Sequence, residues 1–171
     1  MWRAKVRASG GVSNDSVLGD VEGSLRLLKS LPMSSRKVEA FGTCSGGRHA
    51  FLAACRLKGF DAAVDCWGGG VVASKDQLTP KPPVAPMDYA KDLSCPLLGL
   101  FGEEDQTPTS QHVASLEEKL EKYGKTHEFH IYPGAGHAFL NYDKPSYRQE
   151  QAVDGWKKLF TFLEKYLGIL S

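Results

Sequence analysis

Apolar residues recur along this chain with two periods, and the periods alternate. "SVLGDVEGSLRLLKSLP" sets Val21, Leu25 and Leu28 at helical spacing and stops at Pro32. "RKVEAFG" is a short apolar run closed by glycine, the pattern of a strand. "GGRHAFLAACRLKG" returns to a helix, with Phe51, Leu52 and Cys55 on one face and Gly59 as its C-cap. "DAAVDCWGGG" predicts the next strand. "TPKPPVAPMDYAKDLS" is too rich in proline for a regular element and predicts a loop or short cover. "CPLLGLFGEED" reads as a buried strand, and "TSQHVASLEEKLEKYG" as an amphipathic helix capped by serine or threonine. "THEFHIYPGAGH" is a strand running into a glycine loop. "KPSYRQEQAVDGWKKLFTFLEKYLG" predicts a long helix. Pro145 stands near its first turn, and Ala152, Trp156, Leu159, Leu163 and Leu167 lie along one face.

Strands that alternate with helices imply an α/β fold with a mostly parallel sheet and helices on both faces, a three-layer sandwich. No repeat, low-complexity tract or interior linker divides residues 1–171, so a single domain is expected. An apolar share of 42% and a charged share of 24% belong to an ordinary globular protein. The net charge of +1 gives no reason to expect nucleic acid or an anionic membrane as partner. "MWRAKVRASGG" is followed by no apolar run of signal-peptide length, which leads to the expectation of a cytoplasmic protein. Four cysteines without a CxxC pair read as reduced thiols. Cys55, Cys66 and Cys95 stand in apolar company as core residues. Cys44 does not.

In a parallel sheet, ligands bind at the carboxyl ends of the strands. Three strand ends here each carry one reactive side chain. After "KVEAF" comes Gly42-Thr43-Cys44-Ser45-Gly46, a G-x-nucleophile-x-G turn that leaves no room for bulk two residues either side of the thiol. Cys44 then projects at the amino end of a helix, where the dipole favours a thiolate and the Ser45 N–H points at a developing oxyanion. After "PLLGLF" comes Asp105, beyond the solvated pair Glu103 and Glu104; after "EFHIYPGAG" comes His137. Nucleophile, acid and histidine follow one another in the α/β-hydrolase order. His137 would take the thiol proton while Asp105 holds its tautomer. Each residue alone has a bland reading as turn thiol, loop carboxylate or loop histidine; the conjunction is what points to a triad.

Ser45 is a poor rival nucleophile, because its elbow would need a small residue at β-branched Thr43. Arg48 and His49 are expected on the exposed helix face or in a local ion pair. His112 is expected at the surface. His127 and His130, three apart on a strand, face opposite ways and make a poor metal pair. Trp67, beside "GGG", fits an apolar wall of a substrate pocket and a core aromatic equally well.

"GTCSGGRHA", "LLGLFGEED" and "YPGAGHAF" together resemble the dienelactone hydrolase (carboxymethylenebutenolidase) family, a cysteine branch of the α/β-hydrolases, from about residue 20 onward. The resemblance implies Cys44 as nucleophile, Asp105 as acid and His137 as base. It also implies hydrolysis of a lactone or activated ester through a thioester, without metal or organic cofactor, in the breakdown of aromatic compounds. Two departures stand out. Members of the family place several strands before the elbow, whereas about forty residues precede Cys44 here. An N-terminally incomplete domain with about four strands is therefore expected. It would lack the second oxyanion donor, which is worth about 2.7–4 kcal/mol, and activity should be weak. Its elbow strand would be an open edge suited to self-association. The alternative function is a catalytically impaired remnant that binds or assembles through that edge. The second departure lies four residues after His137, where an arginine for the substrate carboxylate is replaced by Asn141; an uncharged ester or lactone follows as the expected substrate. For "MWRAKVR", alternation of Trp2, Ala4 and Val6 suggests a strand, while the family's matching region suggests irregular chain or helix.

Overall fold

The computed structural model describes residues 8–168, so "MWRAKVR" lies outside the described residues. Helix α1 spans Asn14–Ser30, with the Ser13 hydroxyl accepting the Asp15 N–H at 3.2 Å as its N-cap. Four strands follow: β1 (Glu39–Thr43), β2 (Ala62–Cys66), β3 (Leu97–Gly102) and β4 (His127–Tyr132). Helix α2 (Ser45–Arg56) follows β1, α3 (Ser110–Lys122) follows β3, and α4 (Gln149–Leu167) closes the fold. The proline-rich segment is an irregular cover with two 3-10 turns, Lys75–Gln77 and Pro86–Asp92. The α/β arrangement expected from the alternating periods is present, with the four strands that the family resemblance implies.

The strands lie in the order β1-β2-β3-β4, all parallel. A sheet that advances in one direction through right-handed crossovers puts every connecting helix on the same face. One core cluster accordingly joins Leu25 of α1, Phe51 and Cys55 of α2, and Leu116 and Leu120 of α3 to Ala63 and Leu97 of the sheet. The opposite face is covered by α4 through Ala152, Leu159, Phe162 and Leu163. That single helix packs on β2 and β3, and Phe41 of β1 remains exposed.

Three details depart from the sequence pattern. Trp156 is not core: it is 41% exposed and stacks on exposed Phe160 at 6.0 Å, on the flank of a stripe centred on Ala152, Leu159 and Leu163. Helix α2 ends at Arg56 with extended Leu57 as its cap, so Gly59, at φ +107°, serves the following turn instead. Helix α4 starts at Gln149, four residues beyond Pro145. Among the described residues no helix is long and apolar enough to cross a membrane.

Candidate active site

Strand β1 passes into α2 through one residue. Cys44 has φ 56° and ψ −124°, a conformation that costs a non-glycine residue about 1–3 kcal/mol. Two backbone bonds hold it there: the Cys44 N–H donates to the Cys66 carbonyl at 2.9 Å, and the Arg48 N–H donates to the Cys44 carbonyl at 3.2 Å. A Cβ on Gly42 would lie 2.1 Å from the carbonyl carbon and oxygen of Gly46. A Cβ on Gly46 would meet nothing within 4 Å. The expectation that both glycines exclude bulk is thus corrected at the second: the turn forbids a side chain at 42 because the main chain of 46 is there.

Cys44 is exposed, while Cys55, Cys66 and Cys95 are buried. Burial pushes the Cys55 thiol up to about 12 and the Cys95 thiol up to about 11, which leaves both inert as nucleophiles. Ser45 opens α2, and no hydrogen bond among the described residues uses its N–H.

The acid and the histidine are brought together by loops that interlock. Past β3 and β4, the Glu103 N–H donates to the Tyr132 carbonyl at 3.0 Å and the Glu104 N–H to the Ala135 carbonyl at 2.9 Å. Gly102 permits this approach, since a Cβ there would stand 2.4 Å from the Ala135 carbonyl oxygen. Asp105 Oδ2 accepts from His137 Nδ1 at 2.8 Å, and Oδ1 accepts the Thr107 N–H at 2.8 Å. The Asp105 side chain is 2% exposed and that of His137 is 40% exposed. The carboxylate is therefore buried behind an imidazole that faces the open. With Nδ1 donating to Asp105, Nε2 is left as the basic atom.

Cys44, Asp105 and His137 line one cleft of about 750 Å³, together with Ser45, Arg48 and His112. The proline-rich cover supplies a wall through Leu78, Pro82 and Pro86. Of the remaining sequence-predicted site residues, Trp67 does not line the cleft: it is 1% exposed, and its ring meets His137 edge-on at 6.3 Å and Phe139 at 5.5 Å. It backs the imidazole as a core aromatic, the second of the two readings its sequence position offered. Asn141 is half-buried outside the cleft lining, so it offers no view of substrate charge.

Two residues enter the cleft against expectation. His112 is the third residue of α3; its N–H donates to the capping Thr109 hydroxyl at 3.3 Å, and that geometry sets its ring at the cleft instead of on the surface. Arg48 makes no local ion pair among the described residues. Its Nη2 donates to the Asn14 side-chain oxygen at 2.9 Å, and desolvation lowers its affinity for the proton. The signal for both was a position at a helix start beside a strand end, where side chains lean back toward the N-terminus.

Asp65 is the feature sequence reading passed over. It sits inside β2, 1% exposed, and neither carboxyl oxygen has a hydrogen-bond partner among the described residues. Burial raises it from 3.8 to about 7, and the Gly68 N–H nearby, outside bonding geometry, offsets this only in part. A raised carboxyl means the folded protein binds a proton that the unfolded chain releases between about pH 4 and 7. Stability should therefore fall as pH rises through that window, and urea midpoints for wild type should decline across it while those of Asp65→Asn stay flatter.

With the geometry in place, the class follows first: a parallel sheet whose strand ends bring a turn-borne thiol, a buried aspartate and a histidine to one cleft is a partial α/β-hydrolase fold. The sequence pattern of the dienelactone hydrolase family matches residues 5–167, and the chain belongs to that family. It is 36% identical over 156 residues to a provisionally named carboxymethylenebutenolidase of Methylorubrum extorquens, covering 91% of this chain and 52% of the relative. A crystal structure of a provisionally named dienelactone hydrolase from Klebsiella pneumoniae superposes with a TM-score of 0.82 at 30% identity, over 90% of this chain and 62% of that one. Thermogutta terrifontis esterase 2, at 19% identity and a TM-score of 0.74 over 94% of this chain and 67% of that one, shares the fold. The chain spans about half the length of the curated relative from Methylorubrum.

Proposed function

We propose that the chain carries the catalytic part of a hydrolase that cleaves a lactone or carboxylic ester through a thioester on Cys44. The observation that supports this most is the 2.8 Å His137–Asp105 hydrogen bond on the wall of the cleft that exposes Cys44. His137 Nε2 takes the proton from Cys44 Sγ, and the sulfur attacks the substrate carbonyl carbon. The oxyanion faces the Ser45 N–H. As the C–O bond breaks, the leaving alkoxide takes the proton from Nε2, and the acyl group stays on sulfur. His137 then draws a proton from water, whose oxygen attacks the thioester carbonyl; the acid leaves and the thiol is restored. Asp105 stabilises the imidazolium in both halves. With p-nitrophenyl acetate, rapid acid quenching followed by peptide mass spectrometry should find one acetyl group on the peptide holding Cys44. Acetylation elsewhere, with turnover intact, would overturn the assignment.

The charge of the substrate is read from Arg48, not Asn141. Its partly desolvated guanidinium lines the cleft with no carboxylate partner among the described residues, which favours an ester or lactone bearing a carboxylate over the uncharged one that Asn141 suggested. Arg48→Gln should raise KM about tenfold for an anionic ester and leave KM for a neutral ester of the same size within about twofold. Equal effects on both would remove Arg48 from recognition.

A second reading, an impaired domain that assembles through its sheet edge, draws on β1, which among the described residues pairs only with β2 and exposes Phe41. Size-exclusion chromatography of wild type beside Phe41→Lys separates the two: a dimer lost on substitution, with no ester turnover by wild type, favours assembly.

A further inference from the structure

The buried carboxyl of Asp65 lies directly beneath the start of α2. A Cβ placed on Gly47 would come 2.2 Å from Asp65 Oδ1, and one placed on Gly68 would come as close to the same oxygen. That Gly68 position is also 2.7 Å from the Arg48 backbone nitrogen. Two glycines thus admit a carboxyl to the first turn of the helix that carries the nucleophile, on the strand next to the elbow. Asp65 pairs in register with Gly42, and the following residue, Cys66, accepts the Cys44 N–H. No ordinary structural role accounts for it, because an unpartnered carboxyl at this depth costs stability where alanine or valine would add to it.

We propose that Asp65 governs the charge tolerated at the nucleophile. When ionised, it opposes the negative charge that must form on Cys44 Sγ and on the oxyanion beside the Ser45 N–H. When protonated, it leaves the positive end of α2 free to stabilise both. It is a positioning residue in the electrostatic sense: it touches neither thiol nor substrate and acts through the helix turn between them.

A small cavity adjoins the carboxyl. A cavity of about 10 Å³, close to the space of one water, is lined by Asp65, Gly68, Phe101 and His112 among others. A water there would supply the carboxyl with its missing partner and join it to His112, whose ring also lines the substrate cleft. The other surroundings add no compensating charge. From α2 the carboxyl meets Gly47 and the Arg48 main chain, with the guanidinium tied to Asn14. From α3 the cavity receives Val113, Leu116 and His112; from the cover Val71 and Val72; and from β3 Phe101. Cys66, its neighbour in β2, is pushed up by burial and by Asp65 itself. The proton affinity raised by burial places the change of state near neutral pH.

This rests on Cys44 being the nucleophile, and alkylation tests it whether or not esters turn over. With Cys55, Cys66 and Cys95 buried, iodoacetamide on the native protein reads Cys44. The rate for Asp65→Asn divided by that for wild type should be close to one at about pH 5, where Asp65 is already neutral. It should rise to about 3- to 30-fold at about pH 8. If turnover is measurable, kcat for p-nitrophenyl acetate should show the same pH-dependent ratio. A ratio that does not change with pH overturns the proposal, because a merely structural change would shift reactivity equally at both. Should Asp65→Asn fail to fold, infrared spectra of wild type decide: the carbonyl band of a buried carboxylic acid must be present at pH 5 and lost by about pH 8, in step with a fall in alkylation rate below that of a simple thiol titration. An alkylation profile that follows a single thiol ionisation throughout would sink the idea.

Discussion

Cys44→Ala should leave a folded protein that no longer hydrolyses p-nitrophenyl acetate, with kcat lowered about 10⁴-fold or more. The residue is exposed and belongs to no core cluster, so its truncation removes no packing, and alanine at φ 56° bears the same backbone strain as cysteine. Thermal unfolding should shift by less than about 2 °C, which separates loss of chemistry from loss of fold. Cys44→Ser tests the sulfur itself. An alcohol in the same place is a weaker nucleophile unless the base is well aligned, so partial activity would indicate that His137 Nε2 is within reach of the side chain and zero activity that ionised sulfur is indispensable. If wild type and Cys44→Ala hydrolyse the ester equally, the nucleophile is another group or the cleft is idle.

The second large effect comes from a residue with no functional group. Gly42→Ala puts a methyl carbon 2.1 Å from two main-chain atoms of Gly46, far inside any contact that real side chains make. Backbone cannot swing aside as a flexible side chain can, so β1 or the first turn of α2 must shift. We expect a loss of about 3 kcal/mol or more and at least a 100-fold drop in turnover, since the thiol moves with the turn. Gly46→Ala is the internal control: the new methyl meets open space, and within a helix alanine is favoured over glycine by up to about 1 kcal/mol. Chemical denaturation of the three proteins should therefore order them Gly46→Ala at or above wild type, with Gly42→Ala far below.

The asymmetry between these glycines also shows what was legible in the sequence. Cys44, Asp105 and His137 could be located because each follows an apolar run and glycine punctuation, and those signals survive without coordinates. The order of elements was legible for the same reason, since strand and helix differ in period. Asp65 was missed because period-two reasoning assigns it a face of a strand and nothing more. Its setting is made by Gly47 and Gly68, distant in sequence and absent of side chain, so no local pattern advertises them. His112 and Arg48 were misplaced since amphipathic patterns distinguish core from solvent but not solvent from cleft. Trp156 fell on the apolar stripe of α4, yet one helix over a four-stranded sheet cannot bury its whole flank.

Cys44 and the His137–Asp105 pair hang from different parts of the sheet. Strand β3 is bonded on both sides, and its ladder to β4 continues past the strands through Glu103, Glu104 and Ala135, so Asp105 and His137 share one tightly knit unit. Cys44 terminates β1, which among the described residues is held by β2 alone. Peripheral strands of this kind open locally at free energies well below that of global unfolding. The acid–base pair can thus stay assembled while the thiol drifts out of line. In mild denaturant the alignment of the site, and with it any turnover, would be surrendered before the fold itself.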